Sequence, residues 1–83
     1  MKNTEFNTVT KPKHYMLFPD KGIEVRNLVE MLLNRANENG YDQPMFLSDY
    51  AQMLQYILRY DAKNGKEDLE KAKWYLDKMI ESL

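Results

Sequence analysis

Gln55–Leu76, reading QYILRYDAKNGKEDLEKAKWYL, divides at Lys63-Asn64-Gly65-Lys66 into the end of one helical pattern and the start of the next. Upstream of the division, Tyr50, Met53, Leu54, Ile57, Leu58 and Asp61 fall on one helical face, apolar until its last turn. Downstream, Leu69, Ala72, Leu76, Met79, Ile80 and Leu83 recur at helical spacing and predict a buried stripe. Asn64 suits the cap of this later helix, and Glu67, three residues on, completes an amide variant of the capping box. Glu67 and Lys71 add an i,i+4 pair of the favourable orientation. The linker is short, so the end of one helix lies close to the start of the other.

Working outward, a first helix is expected after Asp20, a residue type that caps well. Val25, Leu28, Val29, Leu32, Leu33 and Ala36 repeat at 3.6-residue spacing until Asn39-Gly40 ends the pattern. Tyr41-Asp42-Gln43 is a loop, and Pro44 fits the first turn of the second helix, with Ser48 or Asp49 as alternative caps. Residues 1–13 are polar and aperiodic and read as a tail. Lys11-Pro12-Lys13-His14-Tyr15 is extended by its proline, and Phe18-Pro19-Asp20 is a turn signal. The reading is an all-α, compact three-helix domain over residues 14–83 with an extended N-terminal segment. Leu32, Leu54, Ile57, Leu76 and Ile80 are expected in its core.

A chain of 83 residues, 43% hydrophobic and 30% charged, buries a modest core, so a homo-oligomer is expected. Trp74 and Tyr75, flanking the apolar stripe, suit either an intersubunit contact or a platform for a base. The net charge of -1 argues against general nucleic-acid binding, which needs a strongly basic face. Without cysteine there are no disulfides or thiolate metal sites, and one histidine cannot build an imidazole cluster, so no metal site is expected. No signal peptide or membrane-spanning apolar run is read, which points to the cytoplasm.

A second face of the middle helix carries Gln52, Gln55, Tyr56, Arg59, Tyr60 and Lys63. Such a row can stack a base on a tyrosine and hold phosphate oxygens with Arg59 and Lys63. The same residues also have a structural reading, tyrosines packing with wet hydroxyls and cations meeting the helix C-terminal dipole. His14, on its loop, can donate to a phosphate or shuttle a proton, or sit hydrogen-bonded at the surface. There is no GxxxxGK[ST] phosphate loop, nucleophile elbow or HExxH helix.

The spacing of Tyr56, Arg59, Lys63-Asn64-Gly65, Glu67-Asp68-Leu69, Lys71-Ala72 and Tyr75-Leu76, with His14-Tyr15 upstream, resembles the small phage proteins called SaV-like, often labelled nucleotide kinases. The similarity runs from about His14 to Ile80 and is most specific in its C-terminal half. It implies a helical nucleotide binder in the cytoplasm of an infected host cell, with ATP or another nucleotide as cofactor if the protein is a kinase. Carried over residue by residue, it implies phosphate contacts from His14, Arg59 and Lys63, a base or sugar contact from Tyr56, and Asp68 orienting a basic neighbour. Lys71 and Tyr75 also match the motif. The chain departs where relatives tend to read Gly-Asn and Lys-Tyr, having Ala51-Gln52 and Gln55-Tyr56. The ammonium lost there is one that phosphoryl transfer would use, which bears on catalysis more than on binding.

Three classes stay open. One is a nucleoside monophosphate kinase, a phosphotransferase without a P-loop, whose site three short helices can enclose only by sharing it between subunits. Another is a non-catalytic binder that sequesters host nucleotide signals. The third is a helical interaction protein with no small ligand.

Overall fold

The computed structural model describes residues 16–83, so His14 and the tail lie outside the described residues. Apart from one short hairpin, the fold is all-α: α1 spans Val25–Glu38, α2 Pro44–Arg59 and α3 Lys66–Glu81. The hairpin pairs β1 (Met16–Phe18) with β2 (Ile23–Glu24) antiparallel, placing Met16 opposite Glu24 and Phe18 opposite Ile23 across an irregular register. Pro19–Lys21 forms a 3-10 turn between them, completed by Gly22 at φ 68°. The turn signal at Phe18-Pro19-Asp20 is therefore realised inside a hairpin. Asp20 does not cap α1, because β2 runs directly into the helix and extended Glu24 takes the cap position.

The C-terminus of α1 follows its sequence. The amide of Tyr41 donates to the Ala36 carbonyl at 2.9 Å and that of Gly40 to Asn37 at 3.1 Å. This is a Schellman closure, and Gly40 supplies the positive φ of 98° it requires. Pro44 opens α2 at its first turn, so Met45-Phe46-Leu47 belongs to the helix and neither Ser48 nor Asp49 caps it.

The α1–α2 core centres on Val25, Val29 and Leu54, with Leu32, Leu33, Tyr50, Ala51, Met53 and Leu58 packed around them. Phe46 is buried as well, stacked on Tyr41 with ring centroids 5.4 Å apart. α3 lies along α2 and buries Asp68, Ala72 and Met79. This corrects the expected stripe: Leu76 is 42% and Ile80 62% exposed, Leu69 and Leu83 are exposed too, and Ile57 on α2 stands at 36%. The reason is a rotation of α3 about its own axis. Its contact face follows Asp68, Ala72, Tyr75 and Met79, because the carboxyl of Asp68 is drawn into the α2–α3 joint, and the larger aliphatics ride on the flank. Among the described residues, no helix is long and apolar enough to cross a membrane.

Candidate functional site

The joint between α2 and α3 is built by a tight reversal. α2 ends at Arg59, Tyr60–Ala62 continues as a 3-10 turn, and the Gly65 amide returns to the Tyr60 carbonyl at 2.8 Å. Gly65, at φ 54° and ψ -120°, adopts a backbone that side-chain-bearing residues rarely accept, and α3 starts immediately after it. Asp68 then reaches back across the turn. Its Oδ2 accepts from the Asn64 backbone amide at 3.2 Å and its Oδ1 from the Asn64 side-chain amide at 3.5 Å. The expected Asn64–Glu67 capping box is not formed: Gly65 takes the cap position in place of Asn64 without a side-chain cap bond, both Asn64 contacts run to the Asp68 carboxylate, and Glu67 pairs instead with Lys71 at 3.4 Å on the outer surface.

Asp68 has no exposed surface, and the Arg59 Nε lies 3.4 Å from its Oδ2. The contact is an ion pair without hydrogen-bond alignment, for Nε is buried and makes no hydrogen bond. Burial pushes the Asp68 carboxyl up. The Asn64 amide, the Arg59 guanidinium and the Asn64 side chain more than offset this, so the group stands below its ordinary carboxylate value and is ionised at neutral pH.

Around this pair the rings and cations gather. The Arg59 guanidinium stands 4.7 Å from the centre of the Tyr56 ring, and the Lys71 ammonium 5.4 Å from the same ring. Tyr75 stacks on Tyr56 with centroids 5.9 Å apart and planes 14° from parallel. Trp74 meets Tyr75 edge-on at 4.9 Å and carries Lys78 4.9 Å over its own ring. Tyr56, Arg59, Asp68, Lys71 and Tyr75 therefore come together, five of the seven residues singled out in the sequence. Lys63 does not join the row on α2, because the helix has ended and its backbone turns away at φ -138° and ψ -89°, leaving the side chain exposed. His14 lies outside the described residues. At the start of α3 the Glu67 amide donates to the Asn64 carbonyl and the Leu69 amide to that of Gly65.

Two members of the cluster were not assigned to it by the sequence, Asn64 as the partner of Asp68 and Lys78 as the partner of Trp74. Both stand four residues from the group they touch, and that spacing is the signal that finds them. A separate groove of about 420 Å³ lies toward the other end of α2, lined by Leu32, Arg35, Ala36, Phe46, Tyr50 and Met79 among others. Arg35 is its one cation. Among the described residues no three acidic or imidazole side chains gather as metal ligands would.

A family model described as a protein of unknown function, DUF3310, matches residues 9–77, so the chain belongs to that family. No curated protein and no solved structure shows significant similarity to it.

Proposed function

We propose that this member of the DUF3310 family is a nucleotide-binding protein whose site is the α2–α3 joint around Tyr56. The observation that carries the reading is the pairing of cations with rings there, Arg59 and Lys71 at the Tyr56 ring and Tyr75 stacked against it. A nucleotide asks for those two chemistries side by side, positive donors for phosphate and a flat apolar surface for the base. Lys71 is half-exposed and held loosely by Glu67, so it can turn to a phosphate. Arg59 keeps its Nε toward Asp68, which orients the rest of the guanidinium. Trp74, with more than half of its surface exposed, extends the ring surface on which a base stacks.

Binding without turnover is the form of this reading that the geometry supports best. Phosphoryl transfer needs a second anion-holding pocket for the acceptor, and the groove beside Phe46 and Met79 is mostly apolar. The SaV-like resemblance favours the kinase form and a phage protein acting in the host cytoplasm. The Tyr56 cluster serves both readings.

Calorimetry of the purified chain against a panel of nucleoside mono-, di- and triphosphates tests the proposal, with phosphorus NMR of mixtures of ATP and deoxynucleoside monophosphates run alongside. Saturable binding that is weakened by Lys71→Ala, with no new phosphate resonance, is the expected result. New nucleoside diphosphate would establish the kinase form. Failure of every nucleotide to bind overturns the site.

A further inference from the structure

The groove of about 420 Å³ beside Phe46 takes no residue from the Tyr56 cluster, and all three helices contribute to its walls. Leu32, Arg35, Ala36 and Asn39 line it from one face of α1, at i, i+3, i+4 and i+7. α2 supplies Phe46 and Tyr50, and α3 supplies Met79. Its size lies in the range of small-molecule sites, about 300–1,000 Å³. Three rings follow one another in its lining. Tyr41 stacks on Phe46 with planes 26° apart, and Tyr50 lies 6.5 Å from Phe46 at 48°. Phe46 and Met79 are themselves buried, so the inner wall is apolar. Planar aromatic bodies pack on such rings by offset stacking, and on a thioether through its polarisable sulfur.

Arg35 is the group that the fold leaves unused. A cation in the last turn of α1 meets the helix dipole, but the carbonyls of Arg35, Ala36 and Asn37 already accept from the Asn39, Tyr41 and Gly40 amides. The guanidinium is therefore not needed to close the helix. Among the described residues it makes no ion pair or hydrogen bond, and the Asn39 side chain and the Tyr41 and Tyr50 hydroxyls make no hydrogen bond either. One charged fork and three neutral polar groups thus stand among apolar, ring-bearing walls.

That set of groups selects the chemistry of a ligand. A planar guanidinium pairs with a carboxylate through two parallel bonds. A second negative charge would find no further cation in the walls and would stand at the negative end of the α1 dipole. A polyphosphate is disfavoured on both counts. We infer that this groove binds a small aromatic monocarboxylate, its carboxylate on Arg35 and its ring against Tyr41, Phe46 and Tyr50. The site is separate from the Tyr56 cluster and does not depend on a nucleotide binding there.

Naphthoate is the probe, with naphthylmethanol as its uncharged counterpart, each titrated by calorimetry into the full chain at neutral pH. Saturable one-to-one binding of naphthoate is expected. Arg35→Gln, at an exposed position, should weaken naphthoate by about tenfold or more while leaving the alcohol's affinity and the helical circular dichroism unchanged. A merely structural arginine would not split the two probes. Absence of saturable naphthoate binding overturns the site, and so does binding that Arg35→Gln leaves intact. An equal loss in Lys71→Ala also overturns it, because the anion would then not be held at Arg35 in particular. Light scattering on the same samples covers the other occupant: a doubled mass that naphthoate reduces to the 9.9 kDa of one copy would give the groove to a second chain and overturn the small-ligand reading.

Discussion

Arg59 Nε and Asp68 Oδ2 lie 3.4 Å apart across the joint of α2 and α3, with the carboxylate wholly buried and the arginine side chain 18% exposed. The pair does two things at once: Asp68 also ties the Asn64 turn to α3, and Arg59 also stands over Tyr56. A lesion at either residue should therefore be felt in the fold as well as in the cluster. Asp68→Ala should lower the thermal midpoint more than Glu67→Ala does, since it strips the turn of its acceptor and leaves Arg59 beside a void. Thermal denaturation of the two variants checks this, and equal midpoints would mean that Asp68 does not hold the turn.

The same carboxyl gives the protein an acid limb. Its pKa is lower folded than unfolded, so the folded state binds fewer protons through this region. The stability it contributes is complete above the unfolded value, about 3.9, and is lost as pH falls through the folded value. Thermal midpoints measured from neutral pH down to about pH 2.5 should fall only below the unfolded value for the parent chain. Asp68→Asn should flatten the descent, and an unchanged slope would assign the acid limb to other carboxyls.

Gly65→Ala should destabilise by about 1–3 kcal/mol through backbone strain alone. No atom lies within 4 Å of where its Cβ would stand, so the cost comes from φ 54° and not from collision. Urea denaturation measures it. A neutral substitution would mean that the turn reaches Asp68 by another backbone path.

Leu54 sits at 8% exposure between Val25 and Val29, and Leu54→Ala should cost ~2–5 kcal/mol. Met45, 70% exposed in the first turn of the same helix, gives the contrast, with Met45→Ala expected within about 0.5 kcal/mol of the parent. Comparable losses at the two sites would misplace the buried face of α2.

What the sequence could and could not reveal follows from which signals are local. The C-terminal end of α1 is legible because Asn39-Gly40 acts through its own backbone, and Pro44 marks one of the alternative starts of α2, whereas the cap expected at Asp20 is displaced by the hairpin that runs into α1. The rotation of α3 is not legible. Leu69, Leu76 and Ile80 outweigh Asp68 and Ala72 on any hydrophobic count, and only the long-range pairing of Asp68 with Arg59 turns the smaller residues inward. Five site residues converge because four of them face one joint from helices whose periodicity was plain, and Asp68 caps it. Lys63 was misplaced because a single-sequence reading continued α2 one turn past its end at Arg59.

The cluster's two cations differ in what else they do, and nucleotide binding should separate them. Lys71 makes its ion pair with Glu67 at the surface, and such pairs contribute little to folding, about 0.3–0.5 kcal/mol. A charge-assisted bond from its ammonium to phosphate contributes ~1.5–3 kcal/mol, so Lys71→Ala should weaken a nucleotide by tenfold or more while barely moving the thermal midpoint. Arg59→Ala should lower both, because it leaves the buried Asp68 without its counter-charge. Lys63→Ala, exposed and off the row, should change affinity least of the three. Calorimetry against the tightest nucleotide of the panel, with circular dichroism melts on the same samples, measures the two effects independently. If Lys71→Ala binds as the parent does while Lys63→Ala does not, the phosphate lies at the turn before α3 and not over Tyr56.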